Sequence, residues 1–263
     1  MRTRVRSWCT AVAVVGVSLI GAACATKLDL KKFNGDNEAL YRISYGAYQK
    51  HDWDDAVTGF EKLTLDLPAH DTLLSRSYFY LAQAHEHKGE FLLAAQSYNR
   101  LGESFPDDSL ADRALFDAGR AYGRMWHRPS LDAQYGTSAL ASFEQMVTLY
   151  PGSKLVPDGQ REIARLQEWF AIKDYRTGTH YQKRGAYDSA IIYYKDVIKN
   201  YPTTLTARSA ALRLVDAYRR IKYRDDANDL CTQLRAQYPQ DHEVRDRCGI
   251  STASVEPVAP ASR

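Results

Sequence analysis

One pattern recurs five times along the chain: an alanine, an aromatic residue four positions later, and a proline eight positions after that. The sets are Ala56-Phe60-Pro68, Ala94-Tyr98-Pro106, Ala139-Phe143-Pro151, Ala190-Tyr194-Pro202 and Ala227-Cys231-Pro239, where cysteine replaces the aromatic. A separation of four places the first two residues on one face of a helix. The alanine allows a second helix to approach closely, and the ring fills the gap to the next unit. The proline cannot continue the helix and ends it. An aromatic precedes the proline in four of the five sets (Phe105, Tyr150, Tyr201, Tyr238).

Each set closes a helical hairpin whose first helix carries its own marks: Leu115, Gly119 and Tyr122 in the third unit, Gly178 and Tyr181 in the fourth, Leu214 and Tyr218 in the fifth. The first two units are looser, with Leu40, Ile43 and Ala47, then Tyr78, Leu81 and His85. Together the two halves match the tetratricopeptide signature. The expected fold is all-α, a right-handed superhelical solenoid of five tetratricopeptide-type helical hairpins. Proline to proline, the steps are 38, 45, 51 and 37 residues, against about 34 in the standard repeat. The excess marks an insertion at 126–136 containing Arg128-Pro129, and a first helix from near Pro157 to Lys183, roughly 40 Å long.

The first 23 residues read as a signal peptide: Arg2, Arg4 and Arg6, then an uncharged run from Ala11 to Ala23. Small residues directly before Cys24 fit a bacterial lipidation signal, and they also fit ordinary cleavage. Lipidation of Cys24 is the expectation, and multiple acyl chains would hold the chain firmly on a membrane. Ala25 rather than Asp after the cysteine points to the outer membrane, at its periplasmic face. Without the signal, 32 basic residues face 32 acidic ones. No global positive field is left to hold nucleic acid. The expected organisation is a lipidated, unfolded tether at 24–36, the amino-terminal repeats one to three at 37–152, the carboxy-terminal repeats four and five at 153–248 and a disordered tail at 249–263.

No motif for catalysis, cofactor or metal binding stands out: there is no phosphate-cradling glycine loop, HExxH, CxxC or GxSxG. His85 and His87 flank Glu86 but point to different faces, one packed and one solvated. The Asp52, Asp54, Asp55 cluster suits helix capping, as do Asp107-Asp108 and Asp225-Asp226. The expectation is a non-enzyme that binds proteins.

Two surfaces are candidates for that binding. Tyr41, Tyr45 and Tyr48 recur at spacings of four and three and form one stripe of the first helix. Arg76 and Phe79 (with Gln83 and Glu86), then Arg113, Phe116 and Arg120 (with Arg124), continue it as an aromatic and arginine-rich groove. The last first-helix is basic, and Arg219-Arg220 are expected to face outward and dock an acidic partner. An exported chain can keep a disulfide. Cys231 and Cys248 are the candidates, and two separate thiols, one buried, are the other reading.

The combination of a lipoprotein signal at Cys24, five such hairpins, an Arg-Pro insertion, Tyr150-Pro151-Gly152-Ser153 with Pro157-Asp158, and the run Tyr181-Gln182-Lys183-Arg184-Gly185-Ala186-Tyr187 resembles the BamD/ComL family of outer-membrane protein assembly lipoproteins. The resemblance runs from Cys24 to Pro239. It implies amino-terminal repeats that receive unfolded outer-membrane proteins and carboxy-terminal repeats that hold the periplasmic domains of a β-barrel insertase. Arg219-Arg220 fall where the family places a partner-contacting arginine, and other assembly-complex lipoproteins are further implied partners. The competing reading of the residues is another lipid-anchored adaptor, such as a secretin pilotin or a cell-envelope coordinator. A cell-wall hydrolase is disfavoured, because the hairpins use nearly everything between Asn37 and Pro239.

Overall fold

The structure is a computed structural model that describes residues 28–249 apart from Asn34. Cys24, the signal segment and the tail beyond Gly249 lie outside the described residues. Ten helices form the expected five hairpins: α1 (Asn37–Gln49) with α2 (Trp53–Asp66), α3 (Thr72–Lys88) with α4 (Phe91–Ser104), α5 (Ala111–Met125) with α6 (Gln134–Leu149), α7 (Val156–Lys183) with α8 (Tyr187–Asn200), and α9 (Leu205–Arg220) with α10 (Arg224–Gln237). Each helix packs on its sequence neighbours, and first helices also touch across hairpins, α1 on α3 and α7 on α9. That is the contact pattern of a helical repeat solenoid.

The repeat residues do the packing their spacing implies. All ten alanine and aromatic (or cysteine) positions are at most 2% exposed. The first-helix glycines lie under the rings of their own hairpins: a Cβ on Gly119 would sit 2.8 Å from the Phe143 ring, and one on Gly178 would sit 2.8 Å from the Tyr194 ring. Ile43 departs from the expected core set, since it is 43% exposed. The aromatics before the prolines cap the second helices and reach other units. The Tyr150 hydroxyl donates to the Pro106 carbonyl (2.7 Å), and the Tyr201 ring stacks on Phe170.

The turn inside four of the five hairpins, all but the third, uses one device. Five residues before the repeat alanine the chain enters the left-handed region, at Gly89 (φ 78°) and Gly185 (φ 79°), but also at His51 (φ 62°) and Lys222 (φ 67°). Asp52 then caps α2 by accepting from the Asp55 N–H, as expected of that cluster.

Residues 126–133 form the non-helical insertion. Its anchor is Trp126, 1% exposed. The indole packs on Trp169 and Phe170 of α7 and against Gly136, where a Cβ would come within 2.2 Å of the ring. α7 is 28 residues long, about 42 Å. It packs on α6, α8 and α9, so it joins the first three hairpins to the last two.

One expectation about the flanks changes. Residues 28–33 are not an unfolded tether. Asp55 accepts a hydrogen bond from the Leu28 N–H (2.9 Å), Leu30–Phe33 form a 3-10 turn, and Leu28, Leu30 and Phe33 pack on the first hairpin's core. Three apolar side chains in a polar stretch provide the reason. Beyond Pro239 the chain forms an eleventh helix, α11 (His242–Cys248). It packs on α10, with Val244 fully buried and Cys248 disulfide-bonded to Cys231 (Cα–Cα 5.2 Å).

Candidate functional site

The Tyr41, Tyr45, Tyr48 stripe is a stacked ladder. Successive ring centroids are 6.3 and 6.2 Å apart, nearly parallel. The ladder is half-buried because α3 supplies Tyr80, whose ring meets Tyr45 at 4.8 Å and Tyr48 at 5.2 Å. Burial and the neighbouring Tyr45 hydroxyl push the Tyr80 phenol up to about 12, so it stays neutral. The Tyr48 hydroxyl donates to Gln83 Oε1 (2.6 Å). Tyr80 was not among the expected groove residues. Its signal was present, since Arg76, Tyr80, Gln83 and His87 repeat the four-three-four spacing of one helical face. At the end of the ladder a cleft of about 540 Å³ opens between Tyr41, Arg42 and Leu73.

The next stretch is polar. Asp117 of α5, 2% exposed, accepts from Arg113 (2.5 Å) and Arg120 (3.1 Å). Arg124 pairs with Glu86 of α3 (3.5 Å), and the Tyr98 hydroxyl donates to the same carboxylate (3.4 Å). Burial and the neighbouring carboxylates hold Tyr98 well above the usual phenol range. Arg113 and Arg120 are therefore exposed guanidinium groups fixed from below by one buried acid. Arg76 and Phe79 remain on the α3 surface, exposed and half-buried. Phe116 does not belong to the groove. It is 9% exposed and packs edge-on against Phe143 at 5.5 Å, because its position on α5 faces α6.

The basic face of α9 is also not open throughout. Arg208 makes a two-pronged ion pair with Asp241 (2.5 and 2.6 Å), which holds that carboxyl down at about 2. Arg247 of α11 reaches Asp216 (2.5 Å). Arg219, expected to dock a partner, is exposed but donates to the Arg247 carbonyl (2.6 Å) and lies 3.8 Å from Cys231 Sγ. The α11 backbone engages it because its aligned position on α9 faces the end of the solenoid. Arg220 is exposed and makes no ion pair among the described residues. Elsewhere on α9, Lys195 of α8 sits over the Tyr218 ring, at a cleft of about 550 Å³ between α8, α9 and α10.

His85 is the packed histidine, 3% exposed, with Nδ1 2.7 Å from Glu90. That contact holds the Glu90 carboxyl below its ordinary value. His87 is the solvated one and stacks on Trp53. Among the described residues no cluster of three or more metal-ligating side chains occurs, and no helix is long and apolar enough to cross a membrane.

A family model described as YfiO, outer membrane lipoprotein, matches residues 34–234. An outer membrane protein assembly factor BamD from Caulobacter vibrioides is 25% identical over 233 residues, covering 88% of this chain and 76% of the relative. A protein of the same name from Rickettsia prowazekii is 24% identical, covering 88% and 90%. Among solved structures, TPR-like repeats of a putative kinesin light chain from Podosopora anserina align at 17% identity with a TM-score of 0.36, over 78% of this chain and 96% of that one.

Proposed function

Because the chain belongs to the YfiO family of outer membrane lipoproteins, we propose that it is a non-catalytic, lipid-anchored scaffold of outer-membrane protein assembly. Acylated Cys24 holds it at the periplasmic face of the outer membrane. The first three hairpins receive unfolded β-barrel chains, and the last two dock the periplasmic domains of the insertase. Both relatives carry the assembly name over most of their length.

The observation that carries the receiving role is the change of chemistry along the first helices. Tyr41, Tyr45, Tyr48 and Phe79 offer ring faces, then Arg113 and Arg120 offer guanidinium forks held by Asp117. An extended apolar peptide with a free carboxylate would find rings for its side chains and forks for its charge. Ordering such a peptide opposes binding, so affinity per unit area is modest. The anchor offsets this by raising the local concentration near the insertase.

On the docking side Arg220 is the better probe than Arg219, whose guanidinium already serves α11. The test is co-purification from solubilised native membranes, wild type against Arg220→Glu. A large β-barrel protein with periplasmic domains should accompany the wild type and be lost from the variant. A secretin or a cell-wall enzyme in its place would overturn the assembly reading in favour of another envelope adaptor.

A further inference from the structure

The docked segment fixes where the anchor leaves the fold. Leu28 is held at the start of α2 by its hydrogen bond to Asp55, and Cys24 stands four residues before it. Four fully extended residues reach about 14 Å. An acyl-bearing Cys24 therefore keeps the α1–α2 turn within about that distance of the lipid, too short for the solenoid to hang free of the membrane.

The side chains that meet at this turn form one continuous edge. Trp53, the first residue of α2, is sandwiched between His51 (5.1 Å) and His87 at the end of α3 (4.2 Å, nearly parallel). Lys88 bridges Asp54 of α2 and Glu90 at the start of α4. Phe91, the first residue of α4, lies under the guanidinium of Arg124, at the end of α5 (5.1 Å). Contacts thus run unbroken along the within-hairpin turns of the first three units. Lys50 beside them is exposed and makes no ion pair among the described residues. The opposite edge, where one hairpin passes to the next, differs. Its first two crossings carry Asp71, Asp107 and Asp108 with no lysine or arginine across 67–75 or 104–112, whereas the carboxylates of the first edge, Asp52, Asp54, Asp55 and Glu90, are engaged by the α2 cap, Lys88, the Leu28 N–H and His85.

We propose that the edge formed by Lys50, His51, Trp53, His87, Phe91 and Arg124 rests on the phospholipid headgroup surface. The anchored scaffold then lies on its side, with its acidic edge turned away. The inference rests on the lipidation of Cys24. Amphipathic rings with cationic neighbours suit the headgroup layer, and basic groups are drawn to anionic lipid. His51 holds a left-handed backbone, as Gly89, Gly185 and Lys222 do in other hairpins, a conformation that glycine takes without strain.

The test uses full-length, native acylated protein on vesicles of phosphatidylethanolamine and phosphatidylglycerol that carry a headgroup nitroxide on a fraction of the lipid. Wild type should float with the vesicles. The nitroxide should lower its Trp53 emission, taken as the difference from Trp53→Phe, by about twofold, as expected of a ring at the interface. A Gly/Ser spacer inserted after Ala25 should preserve flotation and relieve the quenching. His51→Gly, which relaxes the turn, should keep the fold and weaken the quenching. Wild type that floats with Trp53 unquenched, or a spacer variant quenched as strongly as wild type, overturns the proposal while leaving the anchor standing. A mature chain that neither floats nor carries acyl mass fails the anchor reading, and the proposal falls with it.

Discussion

Two junctions of the solenoid share one geometry and use opposite chemistry. Counting back from the left-handed residue of each turn, Tyr41, Tyr45 and Tyr48 stand ten, six and three residues before His51. Leu212, Asp216 and Arg219 stand at the same offsets before Lys222. In the first hairpin Tyr45 and Tyr48 meet the ring of Tyr80 of α3, the next first helix, at steep interplanar angles. In the fifth, Asp216 and Arg219 bond to Arg247 of α11, while Leu212 joins the apolar cluster that includes Val244. α11 thus takes the place a sixth first helix would have. It ends the solenoid with ion pairs and a disulfide where the interior junction uses rings. A solenoid needs such a terminal cap, because its last apolar face has no further repeat to cover it. Cys231 in the aromatic position fits this role, since among the described residues no further hairpin follows for a ring to fill against.

The largest difference between the junctions should appear on reduction. A short α11 with one fully buried apolar residue, Val244, has little packing of its own. Closing a loop of 17 residues stabilises by about 3 kcal/mol in the chain-entropy account. Cys231→Ser with Cys248→Ser should release α11. Amide exchange should rise across 242–248 and at the end of α9, while α1–α4 stay protected. Equal loss of protection at both ends would mean that the solenoid unfolds as one unit and that the cap is not a separate element.

Next in size is the ring junction. Tyr80→Ala removes the ring that Tyr45, Tyr48 and Phe60 share and should destabilise by about 2 kcal/mol, a half-buried share of the usual aromatic truncation. Tyr80→Phe keeps the ring and gives up only the hydroxyl beside Tyr45, which should lower stability by about 1 kcal/mol or less. Urea melts monitored by near-ultraviolet dichroism separate the two. If Phe is as damaging as Ala, the junction depends on the hydroxyl network and not on stacking.

The two junctions were not equally legible from sequence. The hairpins themselves were, since every repeat alanine and ring that the spacing singled out is buried. The tyrosine stripe was legible as a stripe, because a period near 3.6 needs no knowledge of the partner helix. What faced it was not: Tyr80 lies on another helix, and only the inter-hairpin contact pairs them. Phe116 was misplaced for a related reason. On a helix buried as extensively as α5, where Ala111 and Ala114–Gly119 are all buried, the apolar stripe is too wide for periodicity to separate core from groove. The cap was missed because α11 has seven residues, too few for a hydrophobic period. Its partners Arg208–Asp241 and Asp216–Arg247 are more than 30 residues apart. The docked turn at Leu30–Phe33 leaves little trace in the sequence, because Leu28, Leu30 and Phe33 are scattered through a stretch whose average is polar.

The smallest contrast is with pH, and it has a definite sign. The Arg208 guanidinium holds the Asp241 carboxyl down at about 2, from an ordinary 3.8. A carboxyl depressed in the folded state stabilises it at all pH above its unfolded value, and that contribution fades as the pH falls through the folded one. Arg208 keeps its charge throughout, so the pair ends only when Asp241 takes a proton. Asp241 also caps α11 by accepting from the Val244 N–H (3.1 Å), so protonation weakens both the ion pair and the cap. Between pH 4 and pH 2 the α11 junction should loosen, whereas the Tyr80 phenol at the ladder, pushed up to about 12, does not titrate there. Amide exchange at 242–248 should therefore rise over this window faster than exchange in α1 and α3. Salt should act in the same direction, because it screens partly exposed pairs and leaves stacked rings largely untouched. An α11 as protected at pH 2 as at pH 5 would show that the disulfide alone holds the cap, with Arg208 and Asp241 contributing nothing to the comparison.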